Sequence, residues 1–221
     1  MLKLDNLTYR YKKADKDALK DISAVFEDGK VNAITGSSGS GKTTLLSIMA
    51  GLDIPKSGKV NIDGNDISNM DLDLYRSERV SMIFQAFQLF PFLTALENTC
   101  YPMETQGISR KEAEEKAAKL LYSVDIDESK HKRYPANLSG GEQQRVAIAR
   151  ALSSGAKTIL ADEPTGNLDV ENGEVVISIL RRLAHEEGYC VIIVTHDLDI
   201  AKEADVVFRM SDGMVFQHNT Y

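Results

Sequence analysis

Apolar and polar positions change their spacing several times along the chain, and each change marks a predicted element. Between residues 2 and 35 the stretches LKLDNLTY and ALKDISAVF partly alternate, EDGK is a turn, and VNAIT (31–35) is a short apolar strand. GKTTLLSIMAG shifts to helical spacing, with Leu45, Leu46, Ile48 and Met49 apolar and Gly51 as its stop. SGKVNIDG returns to strand and ends in a turn at Asp63 and Gly64. From about residue 92 to 155 the pattern is helical. There, SRKEAEEKAAKLLYSV aligns Ala113, Ala117, Leu120, Leu121 and Val124 on one face, and Ser109 with Glu112 predicts a capping box. The tail reads strand, helix, strand: KTILAD, a helix around 170–187, then CVIIVT. VVFRM-SDG-MVF predicts a closing strand pair. Strands alternating with helices predict a mainly parallel sheet, with the helical middle inserted into it.

Composition narrows the class without naming a function. The chain has 221 residues, 43% hydrophobic and 27% charged, which suits an ordinary globular protein of one large domain or two small ones. A net charge of −7 speaks against a nucleic-acid partner, which normally requires a basic excess. Cys100 and Cys190 stand far apart in apolar segments without metal-ligand spacing, and read as buried thiols of a reducing compartment. MLKLDNLTYRY lacks the charged, apolar and small-residue succession of a signal peptide, and no apolar run reaches the roughly 18 residues of a membrane span. The expectation is a cytoplasmic protein whose membrane role, if any, runs through a partner.

The strongest chemical signal is GSSGSGKTT: Gly36, Ser37, Ser38, Gly39, Ser40, Gly41, Lys42, Thr43 and Thr44. It follows a predicted strand, opens a predicted helix, and fits the G-x-x-x-x-G-K-[ST] phosphate loop. Its glycines let backbone N–H groups curl around phosphate oxygens, and the helix dipole adds attraction. Lys42 is then expected at the β- and γ-phosphates and the Thr43 hydroxyl on magnesium. KTILADEPTG supplies an acidic pair at a strand end. Asp162 is expected to hold magnesium, and Glu163 to act as general base toward the water attacking the γ-phosphate. The plainer alternative is that either carboxylate caps the next helix. His196 follows VIIVT at another strand end, where open α/β sheets gather ligand-contacting groups, and is expected at the γ-phosphate. His131, His185 and His218 lack such a context and read as structural.

NLSGGEQQR raises a separate question, because two glycines fall in the first turn of a predicted helix. Glycine costs roughly 1 kcal/mol against alanine there. A capping box of Ser139 and Glu142 accounts for the serine and the glutamate but not for Gly140 and Gly141. Glycines make sense if an anion must approach the N–H groups closely.

Taken in order, GSSGSGKTT, LSGGEQQR, ILADEPTGNLD and VTHD resemble the nucleotide-binding subunit of an ATP-binding cassette (ABC) transporter, over essentially the whole chain. The resemblance implies an α/β P-loop NTPase with a mainly parallel central sheet, an N-terminal antiparallel β-subdomain and an inserted helical subdomain. The single cassette would have its core at 1–90 and 156–221 and the helical part at about 91–155. It further implies ATP and Mg2+ as cofactor and metal, ATP hydrolysis, and a head-to-tail homodimer. In that dimer Ser139, Gly140 and Gly141 bind the γ-phosphate held by the opposing phosphate loop. Tyr11 matches the aromatic that stacks on adenine, with Tyr9 one pleat away as the alternative. Gln85 in MIFQAFQLF matches the glutamine that approaches magnesium and senses the membrane partner, and Asp169 in GNLD matches the loop at the dimer interface.

FQAFQLFPFLTALENT carries more apolar residues than a solvated loop needs. Phe84, Phe87, Phe90 and Phe92 are expected to divide between the core of the helical insertion and a groove for a short cytosolic helix of an integral-membrane permease. LTALEN and EPTGNLD look most like the branch holding the lipoprotein-release, macrolide-export and cell-division cassettes. That likeness implies export or extraction of an amphiphilic substrate, with the protein peripheral on the inner face of the cell membrane. The alternatives are a mechanotransmission ATPase that transports nothing, an import cassette, and a soluble ABC ATPase of repair or translation.

Overall fold

The computed structural model describes residues 1–12 and 14–218. The chain begins with antiparallel β1 (Leu2–Tyr9) and β2 (Leu19–Phe26), followed by β3 (Val31–Thr35) and α1 (Lys42–Met49). β4 (Ser57–Ile62), β5 (Asn65–Asp66), α2 (Leu72–Glu78) and β6 (Val80–Ile83) come next. The helical stretch holds α3 (Ala95–Thr105), α4 (Arg110–Ser123), α5 (Glu128–His131) and α6 (Gly140–Ser153). β7 (Thr158–Asp162), α7 (Val170–His185), β8 (Cys190–Thr195), α8 (Leu198–Lys202), β9 (Val206–Ser211) and β10 (Met214–His218) complete the order. α2 and β6 had no clear periodic signal, because four-residue β6 is too short to show one.

Two sheets form. One is four-stranded and antiparallel in the order β2-β1-β4-β5; the other runs β10-β9-β3-β8-β7-β6, parallel except for β10. VNAIT and CVIIVT are buried along their whole lengths, as strands covered on both faces must be. Alternation in β8 still divides the interior. Ile192 and Val194 join the core shared with α1 and the antiparallel sheet, while Val191 and Ile193 join the core shared with α6 and α7.

The helical segment has a small apolar centre of its own, with Cys100 and Met103 of α3 against Ala113 and Ala117 of α4. Leu121 and Val124 are buried as the spacing of α4 predicts, and Leu120 is half-buried. Ser109 caps α4 by accepting from the Glu112 N–H, but the reciprocal half is missing, because the Glu112 carboxylate pairs with Lys116 at 2.8 Å. A complete capping box forms instead at Thr94 and Glu97, ahead of α3. Both cysteines are buried and free; burial pushes their thiols up, Cys100 to about 11 and Cys190 to about 12. His131 is buried with its Nε2 3.2 Å from the Ile126 carbonyl, and His185 pairs with Asp205. The side chain of His218 lies outside the described residues.

The parallel register gives the fold its consequence for function. Thr35 lies beside Thr195, Asp162 beside Val194, and Ile83 beside Ala161. Whatever follows β3, β6, β7 and β8 is therefore gathered at one edge of one sheet.

Candidate active site

The loop from β3 into α1 wraps a turn that only glycines allow at two points. A Cβ on Gly36 would clash with the Met210 carbonyl of β9. Gly41 has φ 109°, and its Cβ would lie 2.9 Å from the Ala18 carbonyl. Gly41 is also the N-cap of α1, with no side chain capping the helix, so the first-turn N–H groups point toward an incoming anion. Lys42 is nearly buried, and its ammonium donates to the Gly36 and Ser37 carbonyls at 2.7 and 3.0 Å.

A cleft of about 680 Å³ opens over this turn, lined by Ser38, Gly39, Gly41, Lys42, Thr43, Thr44, Tyr11, Asp162, Glu163 and His196. Gly36, Ser37 and Ser40 build the turn beneath it, Ser40 buried with its backbone carbonyl accepting from the Gly213 N–H. A wider groove between α7 and α8 holds no phosphate-loop residue, so chemistry and not size selects the cleft. Tyr11 is half exposed at the cleft wall, and its hydroxyl lies 2.8 Å from the Thr44 Oγ1. Tyr9 packs on the core, with its hydroxyl donating to Asp53. Of the two tyrosines, Tyr11 is the one at the cleft.

At the ends of β7 and β8 the acidic pair and the histidine meet. Glu163 carries φ 45°, an uncommon left-handed backbone for a non-glycine residue, held by its N–H donating to the Val194 carbonyl and its carbonyl accepting from the Gly166 N–H. Its carboxylate lies 2.7 Å from Nδ1 of His196. Periodicity had placed both residues at strand ends without joining them. Burial pushes the Asp162 carboxyl above the ordinary aspartate range, the Glu163 charge adds to that, and the Lys42 ammonium opposes it.

Gln85 is exposed just beyond β6. It is packed onto the loop after Glu163: a Cβ on Gly166 would lie 2.7 Å from its Nε2, and Asn167 donates to its carbonyl at 2.9 Å. Asn167 stands inside the stretch EPTGNLD, yet nothing in its spacing foretold that partner. Asp169 caps α7, accepting from the backbone and the side-chain amide of Asn172.

Ser139, Gly140 and Gly141 do not line the cleft of their own chain. The predicted capping box is complete: Ser139 accepts from the Glu142 N–H, and Glu142 accepts from the Ser139 N–H at 2.7 Å. The two glycines that capping left unexplained now separate. A Cβ on Gly141 would collide with the Asn172 side chain, so packing inside the chain requires that glycine. A Cβ on Gly140 would meet its nearest neighbour, Leu168, at an ordinary 3.6 Å. Among the described residues nothing demands glycine at 140.

A family model described as ABC transporter matches residues 19–166. The chain belongs to the ABC transporter ATP-binding family. It is 42% identical over 213 residues to an uncharacterized ABC transporter ATP-binding protein, YclH, of Bacillus subtilis, covering 96% of this chain and 94% of that one. It is 43% identical to a macrolide export ATP-binding/permease protein, MacB, of Rhodopirellula baltica, over 97% of this chain but 32% of that protein. Among solved structures, the dimeric MJ0796 cassette, a protein of Methanocaldococcus jannaschii, superposes with a TM-score of 0.88 at 37% identity over the full length of both chains. The same cassette is also known as a dimer in a post-hydrolysis state bound to ADP and Pi. This chain is an ATP-binding subunit of the ABC transporter class and an ATPase. Among the described residues no helix is long and apolar enough to cross a membrane.

Proposed function

We propose that two copies of this cassette close head to tail around ATP and drive an integral-membrane permease that exports or extracts an amphiphilic substrate such as a lipoprotein, a peptide or an antibiotic. The observation that carries the reading is the split between Gly140 and Gly141, the two glycines of the LSGGEQQR signature that opens α6. The phosphate cleft lacks Ser139 and Gly140, and Gly140 presents a glycine that its own chain does not need. A γ-phosphate held by a second copy accounts for both, since a helix N-terminus with no Cβ in the way admits an anion closely. The dimeric MJ0796 cassette supports the same arrangement.

Each residue then has a task. The phosphate-loop N–H groups and Lys42 hold the β- and γ-phosphates, Tyr11 packs on adenine, and Asp169 sits at the subunit boundary. The donors available to Mg2+ are hard oxygens, as that ion requires: the exposed Thr43 hydroxyl, the part-buried Asp162 carboxylate and the Gln85 amide oxygen. These residues fit the ion, whose charge would offset that of the phosphate oxygens. Glu163 takes the proton of the attacking water, and His196, whose Nδ1 lies 2.7 Å from that carboxylate, contacts the γ-phosphate. Residues 1–221 act as one cassette, with the helical part at about 91–155 carrying the signature.

A groove between the helical part and the segment around α2 and β6 is the permease's place on this subunit. Phe84, Phe90, Tyr101 and Arg150 line it, with the Phe90 and Tyr101 rings 4.8 Å apart and tilted by 56°. None of the four phenylalanines is fully buried: Phe84 and Phe87 are half-buried, Phe90 is exposed and Phe92 is 89% exposed. The expected share of core residues is therefore absent, because α3 and α4 fill their own centre with Cys100, Met103 and alanines. A short cytosolic permease helix is the occupant that rings of this kind suit. The MacB relative carries ATP-binding and permease functions under one name, which supports such a partner and an inner-membrane location through it.

Two experiments check this reading. Tagged Glu163→Gln protein purified with ATP from gently solubilised membranes is expected to bring an integral-membrane protein in fixed ratio; recovery of soluble partners alone would remove the transporter role. Gly140→Ala is expected to melt like the parent while losing most ATPase activity, whereas Gly141→Ala is expected to lower the melting temperature through its clash with Asn172. An active, stable Gly140→Ala protein would sink the idea of a second copy's phosphate at that glycine.

A further inference from the structure

Gln85 is followed by two consecutive non-glycine residues in the left-handed region, Phe87 at φ 58° and Gln88 at φ 54°. Left-handed backbone is uncommon for such residues and persists only where the surroundings impose it. The loop's own turn contributes, with the Phe87 N–H donating to the Phe84 carbonyl and the Gln88 N–H to the Ala86 carbonyl, and one side chain of α6 grips it from outside. Arg150 of α6 donates from Nη1 to the Gln88 carbonyl at 2.6 Å and from Nη2 to the Phe87 carbonyl at 3.2 Å. The same guanidinium stands 5.7 Å from the centre of the Phe90 ring, which packs at a tilt against Tyr101 in the aromatic groove. Asn98, fully buried, holds the far end of the loop by bonding the N–H and carbonyl of Phe90 and the carbonyls of Leu93 and Thr94.

The strained conformation also aims a ring at the signature. The Phe87 Cζ lies 3.7 Å from where a Gly140 Cβ would stand. Phe87 and Leu168 thus wall one side of the glycine that its own chain leaves otherwise uncrowded.

We propose that Arg150 and Phe87 form a strut between the aromatic groove and the signature turn. Arg150 keeps Phe87 and Gln88 left-handed, so that the Phe87 ring fixes Gly140 in its phosphate-binding position. Both are positioning residues, since neither lines the nucleotide cleft. A helix entering the groove would press on Phe90 and Arg150, and the strut would pass that displacement to Gly140. The inference rests on the composite site proposed above.

Its test uses the purified full chain, with kcat, KM for ATP and thermal melting as readouts. Arg150→Lys replaces a rigid planar fork with a single flexible ammonium, so the two-pronged geometry that fixes both carbonyls is lost. A small misplacement of a phosphate-contacting group costs up to about a hundredfold, so kcat is expected to fall at least about tenfold. KM is expected to stay within about twofold, because the phosphate loop is untouched. Adding Gln88→Gly to Arg150→Lys is expected to recover most of the lost kcat, since glycine adopts the left-handed backbone without help. Phe87→Ala is expected to lower kcat to a similar degree, and Gln88→Gly is expected not to rescue it, because the ring itself is gone.

A folded Arg150→Lys protein with parental kcat would overturn the strut, as would a loss that Gln88→Gly leaves unchanged. An active Phe87→Ala protein would overturn it even if Arg150→Lys failed to fold. A Glu163→Gln protein that stays monomeric with ATP would sink both the composite site and the strut. A dimeric Glu163→Gln protein beside an unimpaired Arg150→Lys protein would sink the strut alone.

Discussion

Glu163→Gln is expected to lower ATP turnover by about 10² to 10⁴, the usual worth of a positioned general base, while leaving ATP binding intact. The substitution is nearly isosteric, so the left-handed backbone at 163 and its bonds to Val194 and Gly166 are kept. What changes is the proton acceptor: an amide cannot take the proton of the attacking water. Its size and shape keep the 2.7 Å approach to Nδ1 of His196, so the cleft stays assembled. Hydrolysis is the step that removes the shared nucleotide, so the variant is expected to accumulate as an ATP-dependent dimer by size-exclusion chromatography with light scattering. A protein that remained monomeric at saturating ATP and Mg2+ would remove the head-to-tail arrangement. A protein that kept parental turnover would remove Glu163 as the base.

Ser139→Arg is the second large effect. Ser139 is exposed at the start of α6 and outside the cleft of its own chain, so filling it with a long cation leaves the phosphate loop and Tyr11 undisturbed. ATPase activity is expected to vanish while the Kd for ATP, measured by fluorescence titration, stays close to that of the parent. Ser139 is also the N-cap of α6, and losing that bond alone costs about 1 kcal/mol of stability. Ser139→Ala separates the two contributions, since it removes the cap without occupying the phosphate's place. It is expected to lose much less activity than Ser139→Arg. Equal loss of affinity and turnover in the arginine variant would show that the signature acts within its own chain.

Much of the site is legible in the sequence because much of it is local. The phosphate loop is nine consecutive residues between a strand and a helix, and its function depends on the backbone those residues adopt. The capping box at Ser139 and Glu142 is equally local, and it forms as read. The box read at Ser109 and Glu112 forms only in half, because a lysine one turn on competes for the glutamate. α2 and β6 escaped for a different reason: a seven-residue helix and a four-residue strand are too short to display a period.

By itself, then, the sequence determined the phosphate cradle, the acidic strand end, the buried strands VNAIT, TILAD and CVIIVT, and the family. Each is written in contiguous residues whose local preferences agree with the final fold. Only the tertiary structure decided that His196 stands beside Glu163, which follows from Asp162 lying beside Val194 in the parallel register. Only packing decided that Gly141 answers to Asn172, and that Gly140 answers to nothing in its own chain that glycine alone would satisfy. The grip of Arg150 on Phe87 and Gln88 spans more than sixty residues of sequence. Such contacts depend on where two distant elements come to rest against each other, and neither periodicity nor spacing carries that distance.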